Sequence, residues 1–300
     1  MILKPEDVGA LVEHSVWKRG KVIEILSPYA IIHFPSLNHT PEGPQRKLRE
    51  DAPQLTKSSV QSDPELDAIE TGPQKPKKAA KRKVKELENG LDEAIAWFEQ
   101  TYPAKFDDEK LIDGDYRNKR AAHETFIANF GDGRGGTMVD QGQHAEIAGA
   151  LDGIFRATNI LSPFEIKAVH KAFGKADESA TKMLGYTLAF INNPTPQTFK
   201  EMAEAVGQLP ADGGKVMTWP IVTLLPFLGN PKRFIALKPT NTELMAARLR
   251  ADLKYDTIPS WTTYDATLRM ANALLEKLSP LGAKDMIDVQ QFMWVTRELT

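Results

Sequence analysis

The chain has 300 residues, 41% of them hydrophobic and 26% charged, enough for one large domain or two ordinary ones with a sizeable core. It has no cysteine, which excludes structural disulfides, thiolate nucleophiles and Cys-based zinc sites. The formal net charge of −2 is unevenly spread: residues 1–58 carry 8 Lys/Arg against 7 Asp/Glu, residues 59–85 carry 7 against 4, and residues 86–300 carry 23 against 29. The acidic balance of the long C-terminal part argues against a nucleic-acid footprint over its whole surface and leaves room for a local one. Acids and a proline interrupt the opening segment where an export signal needs a continuous apolar run. The longest apolar stretch, Trp219 to Leu228, holds two prolines and is about half the ~18–20 residues of a membrane span. A cytoplasmic protein without a membrane segment is expected.

Residues 1–58 read as β. Val8 to His14, Lys21 to Leu26 and Tyr29 to Phe34 are strand-like runs, with turn signals at Lys18-Arg19-Gly20 and Ser27-Pro28. Arg46 to Arg49 predicts a further strand after a Pro- and Gly-containing loop. Four or five short strands in so few residues predict a small closed barrel, because an open sheet of that size leaves its edges unprotected.

Residues 59–85 have the composition of a flexible basic linker, ending in the lysine-rich run Lys75 to Lys85. A solvated tether is one reading, and a weak grip on nucleic acid or an acidic protein is the other.

Residues 86–300 predict an all-α, multi-helix domain, so the chain as a whole is expected to be mainly α. Leu87, Leu91, Ile95 and Phe98 recur at helical spacing. Ser162-Pro163-Phe164-Glu165 combines an N-cap serine, a proline at the first helical position and an acid at the third. Thr195-Pro196 starts another helix. Thr240 or Asn241 is expected to cap one carrying Leu244, Met245 and Leu249, and Thr262-Thr263-Tyr264-Asp265 to open the next. Met286 to Val295 closes the series, and only Arg233 to Leu237 has a strand-like composition.

The segment containing His14, Trp17 and Gly20 in a His-x-x-aromatic-x-x-Gly arrangement, followed by a Val-rich strand, resembles two groups of modules. These are the Tudor-like (SH3-like) modules that end superfamily-one repair helicases and those that begin CarD-type transcription regulators. The resemblance covers about 55 residues and implies an SH3-like barrel, docking onto protein or nucleic acid, and RNA polymerase or a repair or defence complex as partner. Asn159 to Glu165, Thr218 to Leu228, Arg233 to Pro239 and Asp285 to Val295 are similar to phrases of an uncharacterised bacterial family, which adds no mechanism.

Trp17 beside Lys18 and Arg19 is either an exposed aromatic anchor for a partner or a lid over the barrel mouth. In the helical part, Arg117 and Arg120 share a helix face that can track phosphates, unless it is a solvated side balanced by nearby acids. Lys232, Arg233 and Lys238 lead into the helix start at Pro239-Thr240-Asn241, where free N–H groups favour an anion, unless Arg233 and Lys238 pair with acids on neighbouring helices. Gly131 to Gly136 reads as a helix C-terminus followed by a mobile loop, or else as a nest for phosphate. Histidines 123, 144 and 170 lack metal-ligand spacing, so no metal and no cofactor is expected.

The leading expectation is an adaptor that docks a protein partner through the barrel and contacts DNA or RNA through Arg117, Arg120, Arg233 and Lys238. The alternative is an enzyme acting on a phosphorylated small molecule or a nucleic acid. It requires Arg233, Lys238 and a carboxylate such as Asp285 or Asp288 to converge in one pocket; no catalytic residue is assigned. A third reading is an oligomerisation platform.

Overall fold

The computed structural model describes residues 2–26, 28–37, 44–69, 71, 90–211 and 214–299. The chain divides into two compact units, Met1–Arg82 and Lys83–Thr300, and is mainly α with a small antiparallel β module at its N-terminus. The basic run at 75–85 and the residues Val84 and Leu87 lie outside the described residues.

The N-terminal unit is built on β1 Leu11–His14, β2 Lys18–Leu26, β3 Tyr29–His33, β4 Gln45–Arg49 and β5 Leu55–Lys57. All neighbours pair antiparallel in the order β4-β3-β2-β1-β5. Leu3, Val12, Val22, Ala30, Ile32, Phe34 and Leu55 form its core. The register shifts between Val22 and Glu24, so Val22 and Ile23 are both buried. A bulge of this kind explains the broken alternation of β2.

The expected turn at Lys18-Arg19-Gly20 is instead the start of β2, with these residues facing His14, Glu13 and Val12. The chain reverses at Ser15 to Trp17, where His14 Nδ1 accepts the N–H groups of Val16 and Trp17, both at 3.2 Å. Gly20 is required for a close approach rather than a turn. A Cβ there would stand 2.6 Å from the Phe34 ring.

Part of the segment expected as a tether is folded onto this sheet. Asp63 caps a short helix, α1 Pro64–Asp67, by accepting the Glu65 N–H. Leu66 is buried, and Lys21 of β2 donates to the carbonyls of Leu66 at 3.0 Å and Ile69 at 2.8 Å. Composition hides this because one apolar residue, Leu66, and polar bonds from Lys21 and Arg19, 45 and 44 residues away in sequence, do the anchoring.

The second unit contains α2 Leu91–Thr101, α3 Glu109–Leu111, a π-helical turn Ile112–Tyr116, α4 Arg117–Phe130, α5 Arg134–Asp140, α6 His144–Ala157 and α7 Pro163–Phe173. It continues with α8 Glu178–Asn192, α9 Pro196–Gly207, α10 Trp219–Gly229, α11 Pro239–Leu249, α12 Trp261–Leu278 and α13 Met286–Val295. No helix among the described residues is long and apolar enough to cross a membrane. The longest apolar run of the sequence is α10, and every position from Trp219 to Leu228 is buried. A helix that is apolar all round belongs at the centre of a core. Trp219 at its start joins Phe199 and Tyr264 in a set of ring contacts that extends to Phe190 and Phe234.

Phe234 to Leu237 is a buried extended segment rather than a strand. Two of its backbone groups are met by side chains. Thr223 Oγ1 accepts the Leu237 N–H at 2.8 Å, and the Tyr264 hydroxyl donates to Ile235 O at 2.9 Å. Gly131 to Gly136 is a tight connection, not a long loop. Gly131 ends α4, Gly133 takes φ 80° as the N-cap of α5, and Gly135 and Gly136 lie inside α5.

Candidate functional site

The N-terminal candidates are held largely by their own module. Trp17 is half-buried, stacked on His14 with ring centroids 4.2 Å apart and edge-on to Phe34 at 5.3 Å. Its carbonyl accepts the Ser36 hydroxyl, and the Arg46 guanidinium lies 5.7 Å from its ring. Burial lowers the pKa of His14, in keeping with an unprotonated Nδ1 that accepts two N–H bonds. Arg19 pairs with Glu13 at 2.8 Å and Asp63 at 3.1 Å. Lys18 is exposed in a left-handed conformation. Val16, 69% exposed, is the apolar side chain this turn presents to solvent.

The expected Arg117/Arg120 face is taken apart. Arg117 pairs on the surface with Asp113, one helical turn away. Arg120 turns inward, to Asp285 and to Asp288 at 2.7 Å, while the Tyr116 hydroxyl donates to the same Asp288 oxygen at 2.7 Å. Burial works against the Arg120 charge, but its bond to Asp285 and the fields of Asp288 and Asp285 outweigh it and raise its pKa. Burial first, then the Asp288 bond, push Tyr116 up to about 12. Asp285 and Asp288 are also the reciprocal cap of α13. Lys119 is buried and bonds to Gln291 at 3.0 Å.

Arg233 is exposed, and its guanidinium lies 5.7 Å from the Phe234 ring. Neither Thr240 nor Asn241 caps α11. Lys238 holds the N-cap position and Pro239 the first helical one, while Asn241 is buried inside the first turn. A lysine side chain has no acceptor, so this helix start has no side-chain cap. The Lys238 ammonium sits 4.8 Å from the Trp294 ring. Asp285 and Asp288, which the catalytic alternative needed beside Lys238, do not line the cleft to which Lys238 contributes. The three histidines go to separate partners: His123 to Leu228 O, His144 to Thr181 and His170 to Asp152. Among the described residues no three His, Asp or Glu side chains are grouped as metal ligands.

That cleft, of about 750 Å³, is bounded by the starts of α7, α10 and α11 and by the segment after α11. Its construction is legible residue by residue. Ser162 and Glu165 form the expected capping box of α7. Glu165 then reaches further, accepting the Ser162 N–H at 2.8 Å with one oxygen and the Thr218 hydroxyl at 2.5 Å with the other. One carboxylate thereby ties the beginnings of α7 and α10 together. Gly214 packs so closely that a Cβ would stand 2.8 Å from the Ala168 methyl, which brings Lys215 to the α7 wall. Trp219, in the floor, donates its indole N–H to Asp256 O at 2.7 Å and so fixes the segment bearing Tyr255 and Thr257.

Four lysines line this cleft, Lys167, Lys171, Lys215 and Lys238, against one carboxylate, Glu165, among its described residues. Lys167, Lys171 and Lys215 are exposed and have no ion-pair partner among the described residues. The start of α10, like that of α11, has no side-chain cap. Uncapped N–H groups and the helix dipole add positive potential to that of the lysines. Sequence reasoning found Lys238 alone of these four. Lys167 and Lys171 carry the usual i, i+4 spacing of a helix surface, and nothing local to them announces that three helix starts converge. No protein-family model, no curated protein and no solved structure matches the chain.

Proposed function

We propose that the chain is a cytoplasmic binding protein, an adaptor whose helical unit takes a phosphate-bearing ligand in the cleft between α7, α10 and α11. The observation that carries this reading is the concentration of four lysines and two uncapped helix starts around one apolar-floored cleft in a unit that is otherwise acidic. A phosphate meets point charges from lysine and N–H donors from the helix starts without any covalent step. Glu165, the carboxylate of the lining, is occupied in holding two helices together. The N-terminal module, on the resemblance carried by His14, Trp17 and Gly20, is the docking element for a protein partner, with RNA polymerase or a repair or defence complex as the class implied.

Calorimetric titration of the full chain with tripolyphosphate over a salt series tests the cleft. Binding that weakens with salt, and that is lost in Lys167→Glu/Lys171→Glu, is expected. Absence of binding, or binding indifferent to salt and to the double variant, refutes it.

A further inference from the structure

We infer that the occupant of this cleft is single-stranded nucleic acid, its backbone along the lysines and a base stacked on Phe164. This rests on the phosphate reading above and narrows it. Phe164 lines the cleft and is 85% exposed at the second helical position of α7, so its ring face is open to a ligand. Ile258, one residue beyond the lining residue Thr257, is 64% exposed. Asp256 accepts the Ile258 N–H at 2.9 Å and so shapes the turn that presents it. Of these two exposed side chains Phe164 lines the cleft itself, while Ile258 is the chain neighbour of a lining residue.

Helix geometry orders the α7 wall. Phe164, Lys167 and Lys171 recur at three and four residues on one face, spanning about 10 Å at 1.5 Å per residue. An aromatic platform followed by a row of cations is the arrangement that holds a strand by its base faces and its backbone together. The floor, with Ala168, Trp219 and Tyr255, is apolar and accommodates planar bases. A duplex keeps its base faces stacked inside and leaves that floor and Phe164 unused. An acidic peptide is the less fitting polyanion, because it need bring no planar π-face to Phe164 or the apolar floor and uses the lysines alone. Every contact named addresses a phosphate or a π-face, so binding is expected to tolerate changes of base sequence.

The test uses the full chain and a fluorescein-labelled oligothymidine of about 12 nucleotides, within the site sizes of single-strand grooves. The corresponding duplex, tripolyphosphate and an oligoglutamate peptide are titrated in parallel. The single strand is expected to bind more tightly than the duplex and the peptide. Phe164→Ala, a surface change, is expected to weaken the single strand by about 5-fold or more while leaving tripolyphosphate unchanged. If tripolyphosphate binds and the oligothymidine does not, the inference falls and the phosphate reading stands. Equal or tighter binding of duplex or oligoglutamate, or an unchanged single-strand affinity in Phe164→Ala, also overturns it. If neither tripolyphosphate nor the oligonucleotide binds, both fall.

Discussion

The ammonium of Lys21 on β2 donates to the Leu66 carbonyl at 3.0 Å, joining two residues 45 positions apart across the N-terminal module. It also reaches Ile69 O at 2.8 Å, so a buried lysine caps the end of α1. Lys21→Met keeps the stem and removes the donor, leaving those carbonyls without their bond. A loss of about 1–3 kcal/mol is expected, with faster amide exchange from Leu66 to Ile69. Unchanged exchange there in the variant contradicts the capping role.

Arg120 sits between two aspartates it cannot leave without cost. Asp288 is 1% exposed, and Arg120→Ala strands it beside Asp285. Breaking one side of such a buried pair costs about 3–5 kcal/mol. Urea unfolding of the variant checks this, and a loss below about 1 kcal/mol would show that the network relaxes or hydrates. Ligand affinity of the variant, measured where it is still folded, is expected to be unchanged because Arg120 does not line the cleft.

His14 makes the N-terminal module acid-sensitive. Burial holds its pKa below 6.5, so the unfolded chain takes up a proton that the folded one refuses. Its contribution to stability is present above 6.5 and is lost as pH falls through the lower, folded value. His33, also lowered by burial against the pull of Glu65, acts in the same direction. NMR titration is expected to place the His14 imidazole below 6.5, and thermal unfolding of the module to move down between about pH 7 and pH 5. A His14 pKa at or above 6.5 rejects the account.

The salt dependence of ligand binding counts the lysines in use. For a single strand the slope of log K against log salt is about −0.7 per neutralised phosphate. Lys167→Met/Lys171→Met is therefore expected to flatten it by about 1.4. Anisotropy titrations at several salt concentrations measure this, and an unchanged slope places the backbone elsewhere.

Legibility in the sequence followed the range of the interactions. The start of α7 was readable because Ser162, Pro163 and Glu165 act within four residues, as was the Thr195-Pro196 start of α9. Strands β3 and β4 followed from local β-prone runs, whereas the first reversal was misplaced because Gly20 serves a contact with Phe34 rather than a turn. Arg120 looked solvent-facing because its acids lie 165 and 168 residues away. The cleft was out of reach for the same reason. Its lysines stand on three separate segments, and the Glu165–Thr218 bond that unites two of the walls spans 53 residues.

The stretch from Phe234 to Leu237 is stapled into the helical unit from both directions along the chain. It lies among core side chains, and two of its main-chain bonds come from Thr223, which precedes it, and Tyr264, which follows it. The first bond needs only Thr223, but the Ile235 carbonyl has no such donor until Tyr264 is present, so a fragment ending between them leaves that buried acceptor unmet. Truncation before Tyr264 is therefore expected to cost the core a buried hydrogen bond that nothing earlier in the chain replaces.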